Sequence, residues 1–119
     1  MHKINIIEKF NKIHTHWDPK IIAELNDQQV KLLKFKGEFD WHKHDSEDEL
    51  FLVIKGKFEM QFRDKTIILK ENEFIIVRRG IEHCPRADKE VHVLLFEPTS
   101  TLNTGNVTTG KTKTELEKI

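Results

Sequence analysis

Three short runs, "ELFLVI" (49–54), "FIIV" (74–77) and "VLLF" (93–96), are apolar on both faces of an extended chain, with no helical interval between them. Strands of that kind need cover on two sides. One face can line a barrel. The other needs a helix, a second sheet or another subunit, so a homodimer is expected. The segment "KFEMQF" (57–62) behaves differently: Phe58, Met60 and Phe62 share one face, with Glu59 and Gln61 on the other. Short strands at even spacing point to an all-β chain, an antiparallel sandwich or barrel.

The remaining segments fit that frame. In "INIIEKFNKIH" (4–14), Ile4, Ile7, Phe10 and Ile13 recur at helical spacing, which predicts a short amphipathic helix docked on the body. Pro19 ends it by disfavouring the helical region for Asp18. "KIIAEL" and "VKLLKFK" flank an Asn26-Asp27 turn, and Gly56, "RDKT" and "ENE" mark later turns. We expect one domain over 1–102, with the barrel at about 20–98. After Leu102 the hydrophobic pattern is lost, so 103–119 reads as a flexible or partner-ordered tail.

Charge narrows the partners. The 20 basic and 20 acidic residues cancel, and no Lys/Arg block stands out. That argues against nucleic acid or an anionic membrane surface. No stretch approaches a membrane span, and "MHKINIIEKF" is too polar for a signal-peptide core. The one cysteine, Cys84, suits a reducing compartment, so a cytoplasmic location is expected.

The chemistry concentrates in "WHKHDSEDE" (41–49). His42 and His44 alternate, so in an extended segment both imidazoles leave one face, with Cα atoms roughly 6.6 Å apart. "DSED" turns the chain, and Glu49 then opens an apolar strand on the face that carries Phe51 and Val53. A carboxylate pointing into a barrel is costly unless it is paired, protonated or bound to a cation. His83 follows the turn at Gly80. One ion would satisfy all four groups. Glu47 and Asp48 compete with Glu49 for the carboxylate role, and strand parity selects Glu49.

Three imidazoles and a carboxylate leave a six-coordinate ion about two open positions for water or substrate. We expect one divalent ion per chain: iron, manganese, nickel, cobalt or zinc, with zinc the most inclined to settle for four ligands.

At these residues the chain resembles a known family. "GEFDWHKHDSEDELFLVIKG" (37–56) is similar to the first cupin motif, G-x5-H-x-H-x3–4-E-x6-G, and "NEFIIVRRGIEH" (72–83) to the second, G-x5-P-x-G-x2-H. Gly37 sits one residue too close to His42, Asn72 replaces a glycine, and Arg78 replaces a proline. These departures touch turns, not ligands. The resemblance is to small single-domain cupins, including mannose-6-phosphate-isomerase-like ones. It implies a cupin jelly-roll β-barrel, usually dimeric, with metal held at His42, His44, Glu49 and His83. It implies no single reaction, since dioxygenases, decarboxylases, isomerases and simple binders share the fold.

Other candidates are weighed beside these. His92, Arg78, Met60 and Phe51 are candidates for lining the pocket or supporting the ligands, with a hydrogen-bonded core role the alternative for His92. Cys84 follows a ligand directly, points away in an extended segment, and reads as a packed thiol. His14 and His16 either hold a second ion or sit exposed at a helix end. Arg78 and Arg79 either attract an anionic ligand or are solvated loop charges, and Phe39 and Trp41 read as packing. The sequence thus expects a metalloenzyme acting on a small oxygen-bearing molecule, or a non-catalytic small-molecule or metal-sensing cupin, or a barrel tied by a structural metal.

Overall fold

The computed structural model describes residues 1–119. A helix, α1 (Ile6–Phe10), precedes seven strands: β1 (Lys20–Leu25), β2 (Gln28–Glu38), β3 (Glu49–Lys55), β4 (Lys57–Phe62), β5 (Thr66–Lys70), β6 (Phe74–Val77) and β7 (His83–Pro98). Every strand pairing is antiparallel. The strands run β1-β2-β7-β3-β6, while β4 and β5 form a branch that joins through β7.

The longest strand organises the barrel. β7 pairs with β2 from Arg86 opposite Glu38 to Pro98 opposite Gln28. Its first residues, 83–86, also hold β4, and its last half, 92–96, holds β3. Register shifts between Phe35 and Gly37 on β2 and between Val53 and Lys55 on β3 bend both partners around it. Bulges of this kind let one strand serve two layers.

The inner faces meet in one apolar core, including Leu33, Phe35, Phe51, Val53, Phe58, Met60, Val77, Val93 and Leu95. On the outside, Phe10, Ile13 and Leu32 form a second cluster with Ile22, Ile54, Leu94 and Ile119 packed on it. This outer cover explains part of the doubly apolar pattern in β3 and β7.

The helix is shorter than the expected 4–14. Asn5 caps it by accepting the Glu8 N–H, and Asn11 ends it. Phe10 and Ile13 still seat on the sheet, with the Ile13 carbonyl accepting from Lys34 Nζ at 2.7 Å. Ile7 is 68% exposed, because one turn of helix presents only one edge to the sheet.

Residues 103–119, expected as a flexible or partner-ordered tail, instead lie on their own barrel. Thr104 is fully buried; its hydroxyl bonds the Val107 carbonyl and the Thr112 hydroxyl, each at 2.7 Å. Asn103 spans Lys111 and Lys113, and Asn106 exchanges two hydrogen bonds with Lys43. At the far end Ile119 and Glu117 bond the backbone of Ile21. Hydrogen bonds hold this segment more than apolar burial does, which is why no hydrophobic period marks it. No helix is long and apolar enough to cross a membrane.

Candidate metal centre

His42 and His83 face each other through a two-bond bridge, His42 N to His83 O at 3.1 Å and the reverse at 2.9 Å. His44 follows by two residues on the same side, its carbonyl tied to the Gly80 N–H at 2.8 Å. Glu49 opens β3 opposite Val77 of β6 and points inward, as parity required. Asp48 faces out instead, where its Oδ1 accepts the Arg79 backbone N–H at 2.8 Å and so pins the loop before His83.

All four side chains are buried, and their nearest ligand atoms lie within 4.8 Å of one another. Two ligands on opposite sides of an ion, each about 2.1 Å from it, would stand roughly 4.2 Å apart. The spacing therefore suits one shared cation.

The hydrogen-bond pattern supports the same fit. His42 Nδ1 donates to the Asp40 carbonyl and His83 Nδ1 to the Ile81 carbonyl, each at 2.8 Å. Such bonds fix the tautomer and leave the Nε2 lone pair free, as metal-binding histidines require. His44 Nε2 and His83 Nε2 sit 2.9 and 3.2 Å from Glu49 Oε1, yet neither has a directed hydrogen bond. Buried polar atoms are rarely left so. A cation between them would satisfy all three.

Electrostatics keep the donors ready. Burial, aided by the neighbouring His83, lowers the His42 pKa to about 4, so the ring is neutral near pH 7. Burial alone would raise Glu49, but the adjoining His44 and His83 side chains and Glu97 outweigh it and draw the carboxyl well below its ordinary range. Glu97 moves the other way, raised well above normal by burial and by the Glu49 carboxylate. In the metal-free protein, an NMR titration of His42 is expected to show a midpoint near 4 instead of 6.5. A depressed imidazole contributes stability fully above pH 6.5, and that share is lost as pH falls toward 4. An ordinary midpoint would mean the ring is not sealed as described.

The other candidates separate cleanly. Phe51 lines a small cavity, about 30 Å³, beside His42 and Glu49. Met60 packs in the barrel core and does not line that cavity. His92 alternates with inward Val91 and Val93 and so faces out, stacked on Phe10 at 4.7 Å and bonded to Glu90. Arg78 is exposed and reaches Asp48 at 3.4 Å outside the cavity. Cys84 is a packed thiol, its Sγ 3.2 Å from the Phe39 carbonyl, with burial pushing its pKa up to about 12. His16 bonds Glu90, and His14 is exposed; the two do not share a site. Trp41 carries the Arg63 guanidinium over its ring, whereas Phe39 lines the cavity.

Among the cavity residues that sequence reasoning did not assign to the pocket are Trp17, Lys31 and Glu97. The signal existed for Lys31 and Glu97. Lys31 shares parity with Leu33 and Phe35, and Glu97 with Val93 and Leu95, so both belong to inward faces. A wider depression of about 750 Å³ between β4, β5 and the bend of β7 shares no residue with the cluster.

Residues 30–97 match the cupin domain family. The chain belongs to the cupins. It is 43% identical over 67 residues to the uncharacterized protein YdbB of Bacillus subtilis (strain 168), a match covering 56% of this chain and 59% of that relative's length. Among solved structures, this cupin is similar to a cupin-2 domain containing protein from Shewanella frigidimarina, with 43% identity and a TM-score of 0.79 over 80% of this chain and 93% of that one. It is also similar to protein NMB1881 from Neisseria meningitidis, with 26% identity and a TM-score of 0.76 over 82% and 100% of the two chains. The jelly-roll expectation is therefore met.

Proposed function

We propose that this cupin holds one divalent metal ion through His42, His44, Glu49 and His83 and acts as a metalloenzyme on a small oxygen-bearing molecule. The observation that carries the reading is the convergence of four buried ligand atoms within 4.8 Å, several lacking any other partner. Four protein ligands leave positions open on a six-coordinate ion, and a bound metal there would supply Lewis-acid or redox chemistry. Iron or manganese suits the donor set best; nickel, cobalt and zinc accept it too.

The test has two parts. Protein purified from its own host is analysed for metal and for any co-purifying small molecule. Metal-loaded protein is then assayed for oxygen uptake and for turnover of small acids and sugars. One equivalent of a transition metal with turnover of a compound in the panel is the expected result. A metal-loaded sample silent throughout would defeat the catalytic part.

A second reading, binding without turnover, draws support from the outward placement of His92 and the inert Cys84 thiol. Recovery of a chemically unchanged ligand from the pocket would favour it.

We also propose a homodimer in the cytoplasm. A single free, buried cysteine supports the location. The dimer is supported by an outer face where Leu50 pairs with Ile76 and Leu52 with Phe74. There Phe74 is 60% and Ile76 39% exposed, beyond the reach of α1. Sedimentation should show a dimer at micromolar concentration, shifted toward monomer by Phe74→Lys. A wild-type monomer would overturn the proposal.

A further inference from the structure

Beyond the four clustered ligands, two more ionisable side chains are sealed inside the barrel: Lys31, 1% exposed, and Glu97, 3% exposed. The register places them beside the cluster. Lys31 stands opposite Leu95 across β2 and β7, and Leu95 opposite Phe51 across β7 and β3. Continued by one pleat, the same register sets Glu97 across from Glu49. Lys31 Nζ donates to Glu97 Oε1 at 2.8 Å, and both residues line the cavity that His42 and Glu49 share.

Stability does not account for this pair. Sealing an ammonium and a carboxyl from water costs several kcal/mol, and apolar side chains of similar size commonly serve a core as well or better. Apart from this pair and Glu49, the same inward row is apolar, with Leu33, Phe51 and Leu95. The Lys31 ammonium has three N–H groups, and the protein supplies one side-chain acceptor, Glu97. The other two are available to a ligand.

Charge and shape then narrow the ligand class. A bound divalent ion together with Lys31 outweighs Glu49 and Glu97, whether or not Glu97 carries its proton. A sealed site with excess positive charge favours an anion. The cavity offers one lysine and no arginine, with apolar walls from Trp17, Leu33, Phe39 and Phe51. Phosphate recognition usually recruits arginine or helix N-termini. A carboxylate on a short carbon chain matches better. The cavity, about 30 Å³, admits only a small group, and Asn103 and Leu116 of the C-terminal segment line it.

We propose that Lys31 is the anion-recognition residue of this pocket, and that its ligand is a small carboxylate bridging the Lys31 ammonium and an open position on the metal. This rests on the metal-site reading above, and the test separates the two. Full-length protein is first titrated with Mn²⁺. The loaded protein is then titrated calorimetrically with glycolate, lactate, pyruvate and 2-oxobutyrate, with their amides, and with inorganic phosphate; water-proton relaxation reports displacement of metal-bound water.

At least one acid is expected to bind and displace water, and its amide is not. Lys31→Met should weaken that acid at least ~tenfold while Mn²⁺ affinity stays within ~threefold. Undiminished acid binding by the variant, binding of amide or phosphate in preference, or no acid binding to loaded wild type would overturn the proposal. If Lys31→Met fails to fold, the double variant Lys31→Met/Glu97→Gln removes the stranded charge, and full acid binding by it would be equally decisive. Wild type that takes up no Mn²⁺ and no other divalent transition metal would instead overturn the metal reading, and this proposal with it.

Discussion

Replacing His44 with alanine is expected to weaken divalent-cation binding by at least ~100-fold, since loss of mere supporting contacts around a metal already costs 10–100-fold. His44 is the most informative of the four positions. Neither of its ring nitrogens has a hydrogen-bond partner within the chain, whereas His42 and His83 each also tie down a backbone carbonyl. Removing the ring breaks no directed hydrogen bond, but it gives up the 2.9 Å approach of Nε2 to Glu49 Oε1 and leaves a void at a buried position. Metal-free His44→Ala should melt modestly below the metal-free wild type, while the gain in melting temperature that added metal gives the wild type disappears. Calorimetric titration and melting with and without a chelator measure both. A variant that binds metal as tightly as wild type would refute the four-ligand centre.

Gly105→Ala is expected to destabilise the protein by about 3–5 kcal/mol, a size reserved for a few mechanisms such as overpacking and backbone strain. Gly105 has φ +56, and a Cβ there would lie 2.1 Å from the Lys43 carbonyl oxygen and 3.2 Å from His42 Cδ2. Lys43 also exchanges two hydrogen bonds with Asn106, so the carbonyl is held in place. The added methyl must push either the C-terminal segment outward or the His42–His44 backbone inward. Either movement disturbs the ligands, so metal affinity should fall together with stability. Gly110 is the control: a Cβ there meets nothing within 4 Å, and Gly110→Ala should unfold within about 0.5 kcal/mol of wild type. Denaturant unfolding of the metal-free proteins compares the three. Equal stability for Gly105→Ala would show that the segment does not press on the ligand strand.

Much of the centre was legible because a strand has a strict period of two. The alternation of His42 with His44, and the parity of Glu49 with Phe51 and Val53, held in three dimensions because one slip would turn a charged group into the wrong layer. Turn chemistry was equally local, with Asn26 at φ 53 and Gly56 at φ 89 where reversals were expected. The helix was overestimated for a different reason. Its apolar period runs past Phe10, but Asn11 caps it and the chain bends so that Ile13 seats on Leu32 without a second helical turn.

By itself, then, the sequence determined an antiparallel β-barrel and the four residues whose side chains share a face or a turn near its mouth, since both follow from spacing along the chain. Only the tertiary structure decided that Lys31 and Glu97 meet beside those ligands, that His92 faces the helix, and that residues 103–119 close back over the barrel. Those outcomes depend on cross-strand register and on hydrogen bonds between positions tens of residues apart, and no local period records them.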